Sequence, residues 1–139
     1  MISVILRKPD FARARPSTLL TDDKTYSYLY EQNKDLETYY KIALLGKKVQ
    51  HRLKADSTMS PTERNDIMFY VLYGVIAKSM NKKEIKFSDF KGFDVEQITM
   101  DMIDEMKKLV FERYKALGGD GRVAKSSTFI NEIDVLLGF

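Results

Sequence analysis

Eleven consecutive residues, Ile67 to Ala77, carry no charge and no polar group beyond two tyrosine hydroxyls. A helix built on them is hydrophobic on every side, and such a helix needs neighbours all round. The residues just before the run give it a start. Ser60-Pro61-Thr62-Glu63 places a capping hydroxyl, a proline at the first helical position and a glutamate three residues after the cap. The run is far short of the about 20 apolar residues that span a bilayer. It reads as the middle helix of an all-α bundle in a soluble protein, with no membrane partner.

The flanking segments supply the neighbours. A helix is predicted from Asp35, its N-cap, to about Ala55, with Tyr39, Ile42, Gly46, Val49 and Leu53 as the inward stripe. Gly46 in mid-helix costs roughly 1 kcal/mol against alanine, so another helix is expected to cross closely there. Tyr26, Leu29 and Tyr30 predict a short helix ending before Asn33. Residues 81–92 break the helical period, and Ile85, Phe87, Phe90 and Phe93 are expected to pin that connection to the bundle.

A further helix is predicted from Val95 or Met100 to Leu117, facing inward with Ile98, Met102, Met106, Leu109, Val110 and Leu117. Gly118-Gly119-Asp120-Gly121 stops it, since glycine tolerates left-handed backbone. A last helix, Ser127 to Leu137, buries Ile130, Ile133 and Leu137. The chain of 139 residues supports one core. The reading is a compact bundle of four to five helices over residues 22–139, preceded by an extended basic arm, residues 1–21. Alternation at residues 2–6 permits a short strand there, which would need a partner strand from outside this chain.

The net charge of +3 lies entirely in the first sixteen residues, where Arg7, Lys8, Arg13 and Arg15 face the single acid Asp10. The remainder holds 19 basic and 19 acidic side chains. Guanidinium forks suit bidentate contacts to phosphate or carboxylate, so Arg7, Lys8, Arg13 and Arg15 are the candidate binding residues. With no cysteine, disulfides, thiolate metal sites and thiol nucleophiles are excluded, and a reducing cytoplasm fits.

Other patterns carry less chemistry. Gly119 to Ser126 is one substitution from a phosphate-binding loop, but Ala124 stands where glycine is required and a helix, not a strand, precedes it. Pro9-Asp10 with Asp22-Asp23-Lys24 spells the string of a nuclease metal site, in which Asp10 and Asp22 bind a divalent ion and Lys24 helps activate water. That site needs adjacent strands, whereas Asp22-Asp23 reads as a helix start. Asp101, Asp104 and Glu105 cluster on one helix, where Lys107 and Lys108 make an ion-pair face the simpler reading. His51 is the only histidine, and it has no partner for metal binding or catalysis in the pattern. Tyr26, Tyr28, Tyr30, Tyr39 and Tyr40 form an aromatic patch read as core or subunit contact.

Several stretches in order resemble one family. They are Leu6-Arg7-Lys8-Pro9, Ala12-Arg13-Ala14-Arg15-Pro16-Ser17-Thr18-Leu19-Leu20, Asp35-Leu36-Glu37-Thr38-Tyr39-Tyr40, Lys47-Lys48-Val49, Glu63-Arg64-Asn65-Asp66-Ile67-Met68-Phe69-Tyr70, and Ala124-Lys125-Ser126 with Phe129. Together they resemble the C-terminal helical region of AIPR proteins, named for abortive infection and phage resistance. The Phe87 to Phe93 connection departs from that pattern. The resemblance implies an excised part of a longer bacterial cytoplasmic protein in anti-phage defence, and it carries over no catalytic residue. The expected function is a non-catalytic interaction domain, without cofactor or metal. It docks to the rest of its parent, to a homo-oligomer partner or to nucleic acid through the arginine-rich arm. The alternatives are a metal-dependent nuclease and a DNA-binding helical domain.

Overall fold

A computed structural model of the protein describes residues 36–139 except 84 and 86, with side chains from residue 41 onward and those of residues 87 and 88 left aside. The expected strand at residues 2–6, the short helix around Tyr26 to Tyr30 and the Asp35 cap lie outside the described residues, as does most of the tyrosine patch.

The described chain is an all-α bundle of five helices: α1 (Leu36–Lys54), α2 (Pro61–Met80), α3 (Met100–Ala116), α4 (Gly121–Lys125) and α5 (Ser127–Leu136). Between α2 and α3 run two short 3₁₀ turns, Phe87–Phe90 and Val95–Gln97. The capping box at the start of α2 forms as the sequence predicts. Ser60 Oγ accepts from the Glu63 amide at 3.1 Å, and Glu63 Oε1 accepts from the Ser60 amide at 2.9 Å. The other Glu63 oxygen pairs with Lys115 at the far end of α3. That ammonium, ahead of the Ser60 amide, holds the Glu63 carboxyl below its ordinary range.

Helix α2 occupies the middle, touching α1, α3, α4 and α5. The ten non-glycine residues between Ile67 and Ala77 are at most 3% exposed. Each large side chain so buried contributes roughly 1.5–3 kcal/mol of transfer free energy, opposed by the entropy of ordering it. A single helix therefore supplies the centre of the core, and the others cover it.

Gly46 is buried on the inner face of α1. An unanticipated close crossing lies at Gly74 of α2. A Cβ added there would stand 2.8 Å from Cγ of Met106 on α3 and closer still to its sulfur. Glycine lets α3 approach at that level.

The covering helices differ in detail from their predicted stripes. Helix α1 buries Ile42, Leu45, Val49 and Leu53. Helix α3 begins at Met100 behind an N-cap at Thr99, and Val95–Gln97 stands apart as its own turn. Its buried positions are Ile103, Met106, Val110 and Tyr114, whereas Leu109 is only half-buried. The connection is pinned by Ile85 and Phe90, both at 0% exposure, with Phe93 packed edge-on against Phe90.

Gly118 and Gly119 end α3 at φ values of 111° and 66°, and the Gly119 amide returns to the Tyr114 carbonyl at 2.9 Å. Helix α5 buries Phe129, Ile130 and Ile133, as well as Asp134, while Leu137 is half-buried just past its end. Among the described residues, no helix is long and apolar enough to cross a membrane.

Candidate binding surface

The polar chemistry of the core is spent on structure. The Tyr70 hydroxyl donates to the Ala124 carbonyl of α4. Burial pushes its pKa up to about 12. The Tyr73 hydroxyl lies 2.6 Å from the Lys83 carbonyl and 3.0 Å from Asp134 Oδ1. The Tyr114 hydroxyl donates to Asp66 Oδ2 at 2.6 Å, and burial, then the Asp66 carboxylate, holds it un-ionised well above the usual tyrosine range. Each of these groups fastens one helix to another segment.

The outer side of α1 is different. Between residues 41 and 54 the exposed positions are Lys47, His51 and Lys54, and all three are basic. Steps of four and three residues put them in one row along the helix, opposite the buried row of Leu45, Val49 and Leu53. At 1.5 Å per residue the row is about 10 Å long. Lys47 and Lys54 make no ion pair among the described residues.

Their flanking cations are committed. Lys48 pairs with Glu96 at 3.3 Å, and the Lys41 ammonium donates to the Phe90 carbonyl at 3.3 Å. Arg52 grips Asp104 with both arms of its fork, Nε to Oδ1 at 3.0 Å and Nη2 to Oδ2. Those hydrogen bonds, aided by Lys107, hold the Asp104 carboxyl below its ordinary range. Lys107 also reaches Asp56 at 3.1 Å. The Asp56 carboxyl is lowered too, first by the Thr58 hydroxyl and then by the Thr58 amide and Lys107. Acids from α3 and the connecting loops thus neutralise one flank of α1 and leave Lys47 and Lys54 of its outer row charged.

At the C-terminal end of that row, α1 and the first turns of α2 enclose a cleft of about 210 Å³. The buried Leu53 and Met68 line its bottom, and Gln50, Lys54, Pro61, Arg64 and Asn65 surround it. Arg64 Nη1 donates to the Met59 carbonyl at 3.2 Å, which fixes the guanidinium beside the opening.

The predicted binding residues Arg7, Lys8, Arg13 and Arg15 lie outside the described residues, as do Asp10, Asp22 and Lys24 of the nuclease-like string. His51 stands in the basic row. Asp104 belongs to the Arg52 and Lys107 ion pairs rather than to a carboxylate cluster, and no group of three or more metal-ligating side chains converges among the described residues. In the segment resembling a phosphate loop, Gly121 to Lys125 form α4. Asp120 caps it, accepting from the amides of Arg122 and Val123 at 2.9 and 3.1 Å. Its own carboxylate fills the place a phosphate would take.

No protein-family model, curated protein or solved structure matches the chain. The surface must therefore be interpreted from its own chemistry. The spacing 47–51–54 was its one signal in the sequence, and it is visible only once the inner face of α1 is known. Gln50, Arg64 and Asn65 gave none, because the cleft joins two helices.

Proposed function

We propose that this chain is a non-catalytic helical interaction domain that binds an anionic partner through basic side chains. The observation carrying the reading is that every exposed position of α1 from residue 41 to Lys54 is basic. The surface row has the company of Arg7, Lys8, Arg13 and Arg15 in the sequence before it. Lysines without an ion pair among the described residues attract phosphate or carboxylate groups over distances near the Debye length and hold them by short contacts. The setting we propose, from the AIPR resemblance alone, is a bacterial cytoplasmic protein of anti-phage defence. The buried hydroxyls of Tyr70, Tyr73 and Tyr114 are bonded to other segments of the bundle, which supports binding over chemistry.

Binding to a labelled duplex oligonucleotide at low salt, with polyglutamate in parallel, tests the reading. Lys47→Glu with Lys54→Glu is expected to weaken polyanion binding tenfold or more and to reduce the slope of log affinity against log salt by about 2. The melting temperature should stay within about 2 °C of the parent, because neither side chain makes an ion pair among the described residues. Arg13→Ala with Arg15→Ala is expected to act in the same direction. Unchanged binding in both variants, or a large fall in stability, would sink the proposal.

A further inference from the structure

We propose that the cleft between α1 and α2 receives one unstacked base of a single-stranded nucleic acid, with the neighbouring phosphates lying along Lys47, His51 and Lys54. The inference rests on the basic-edge reading and names its ligand. Size comes first. Pockets for drug-sized ligands run from about 300 to 1,000 Å³, and a space of about 210 Å³ suits a ring system rather than a whole cofactor.

Its lining comes second. Leu53 and Met68 close the bottom, and the exposed ring of Pro61 at the wall offers apolar contact to a flat base. Gln50 and Asn65 at the opening each carry an amide with both donors and an acceptor, which matches the mixed edge of a nucleobase. Arg64 brings a planar guanidinium already held by the Met59 carbonyl, so little entropy is lost when a base stacks on it.

Position is the third argument. Lys54 belongs both to the cleft and to the charged row, so one strand can seat its base and its backbone at once. A duplex keeps its bases stacked and paired, and its backbone meets the row without filling the cleft. An acidic peptide would use the cations but has no group that needs an apolar bottom ringed by amides.

The test measures fluorescence anisotropy of a labelled oligothymidine, a duplex of equal charge and polyglutamate. The parent is expected to bind the single strand about tenfold more tightly than the duplex, the scale of one stacked base. Gln50→Met with Asn65→Leu, neutral changes at partly or fully exposed positions, should abolish that preference and leave duplex binding within about twofold. Arg64→Lys, which keeps the charge and removes the plane, should cut single-strand binding alone.

Equal affinity for strand and duplex, unmoved by these variants, overturns the base cleft and leaves the basic edge standing. Binding to polyglutamate in preference to both oligonucleotides overturns the nucleic-acid assignment. Failure to bind any of the three overturns the basic-edge reading itself.

Discussion

Helix α2 and the outer edge of α1 are neighbours with opposite uses of polar chemistry. On α2 the hydroxyls of Tyr70 and Tyr73 are sunk in the core and bonded to other segments. On α1, Lys47, His51 and Lys54 face solvent, and the two lysines have no ionic partner among the described residues. A buried polar group must find its partner inside the protein, since leaving it unmade costs about 1–3 kcal/mol. An exposed cation is already satisfied by water and can trade that water for a ligand. The difference separates what holds this molecule together from what it can offer to others.

Changes to the interior should therefore cost stability, and changes along the edge should cost binding. The largest stability effect is expected for Gly74→Val, which drives new methyl groups into Met106 and should destabilise by about 2–3 kcal/mol in denaturant unfolding. Met106→Ala in the same chain should recover part of that loss, a coupling that a double-mutant cycle reads directly.

Tyr114→Phe comes next, at about 1.5 kcal/mol, because it removes the donor to the Asp66 carboxylate. It also changes the alkaline limb. The fold favours neutral Tyr70 and Tyr114, so their contribution is complete below pH about 10 and is lost as the pH climbs through the raised values. Stability measured from pH 9 to 12 should fall less steeply in the variant than in the parent.

The smallest effect belongs to the flank of α1. Arg52→Ala should lower the melting temperature only slightly at neutral pH, as befits a half-exposed pair, and that difference should close in acid. Asp104, held low mainly by Arg52, contributes stability above the ordinary carboxylate range and loses it as the pH drops below about 4. The variant should show a shallower acid limb.

The parts of the fold legible in the sequence are those governed by local chemistry. The Ser60 capping box, the all-round apolar run, the glycine stop after α3 and the buried face of α5 all depend on residues near one another in the chain. Errors arose where phase depends on a boundary. The α3 stripe held at Ile98, Met106 and Val110 but wrongly placed Leu109 inside, where the helix that begins behind the Thr99 cap buries Ile103 and Tyr114 instead.

The candidate surface was harder to see for a tertiary reason. Residues beyond the arm hold equal numbers of acids and bases, and the acids that neutralise Lys48 and Arg52 lie 48 and 52 positions away. Overall neutrality concealed a segregated surface.

Three walls of the cleft, Pro61, Arg64 and Asn65, belong to the opening turns of α2. Helix ends fray unless their free amides are satisfied. The Ser60–Glu63 reciprocal bonds, reinforced by Lys115 from the opposite end of α3, therefore do more than begin a helix. They keep the lip of the opening wound, so the same latch that secures the bundle also governs how long its mouth holds its shape.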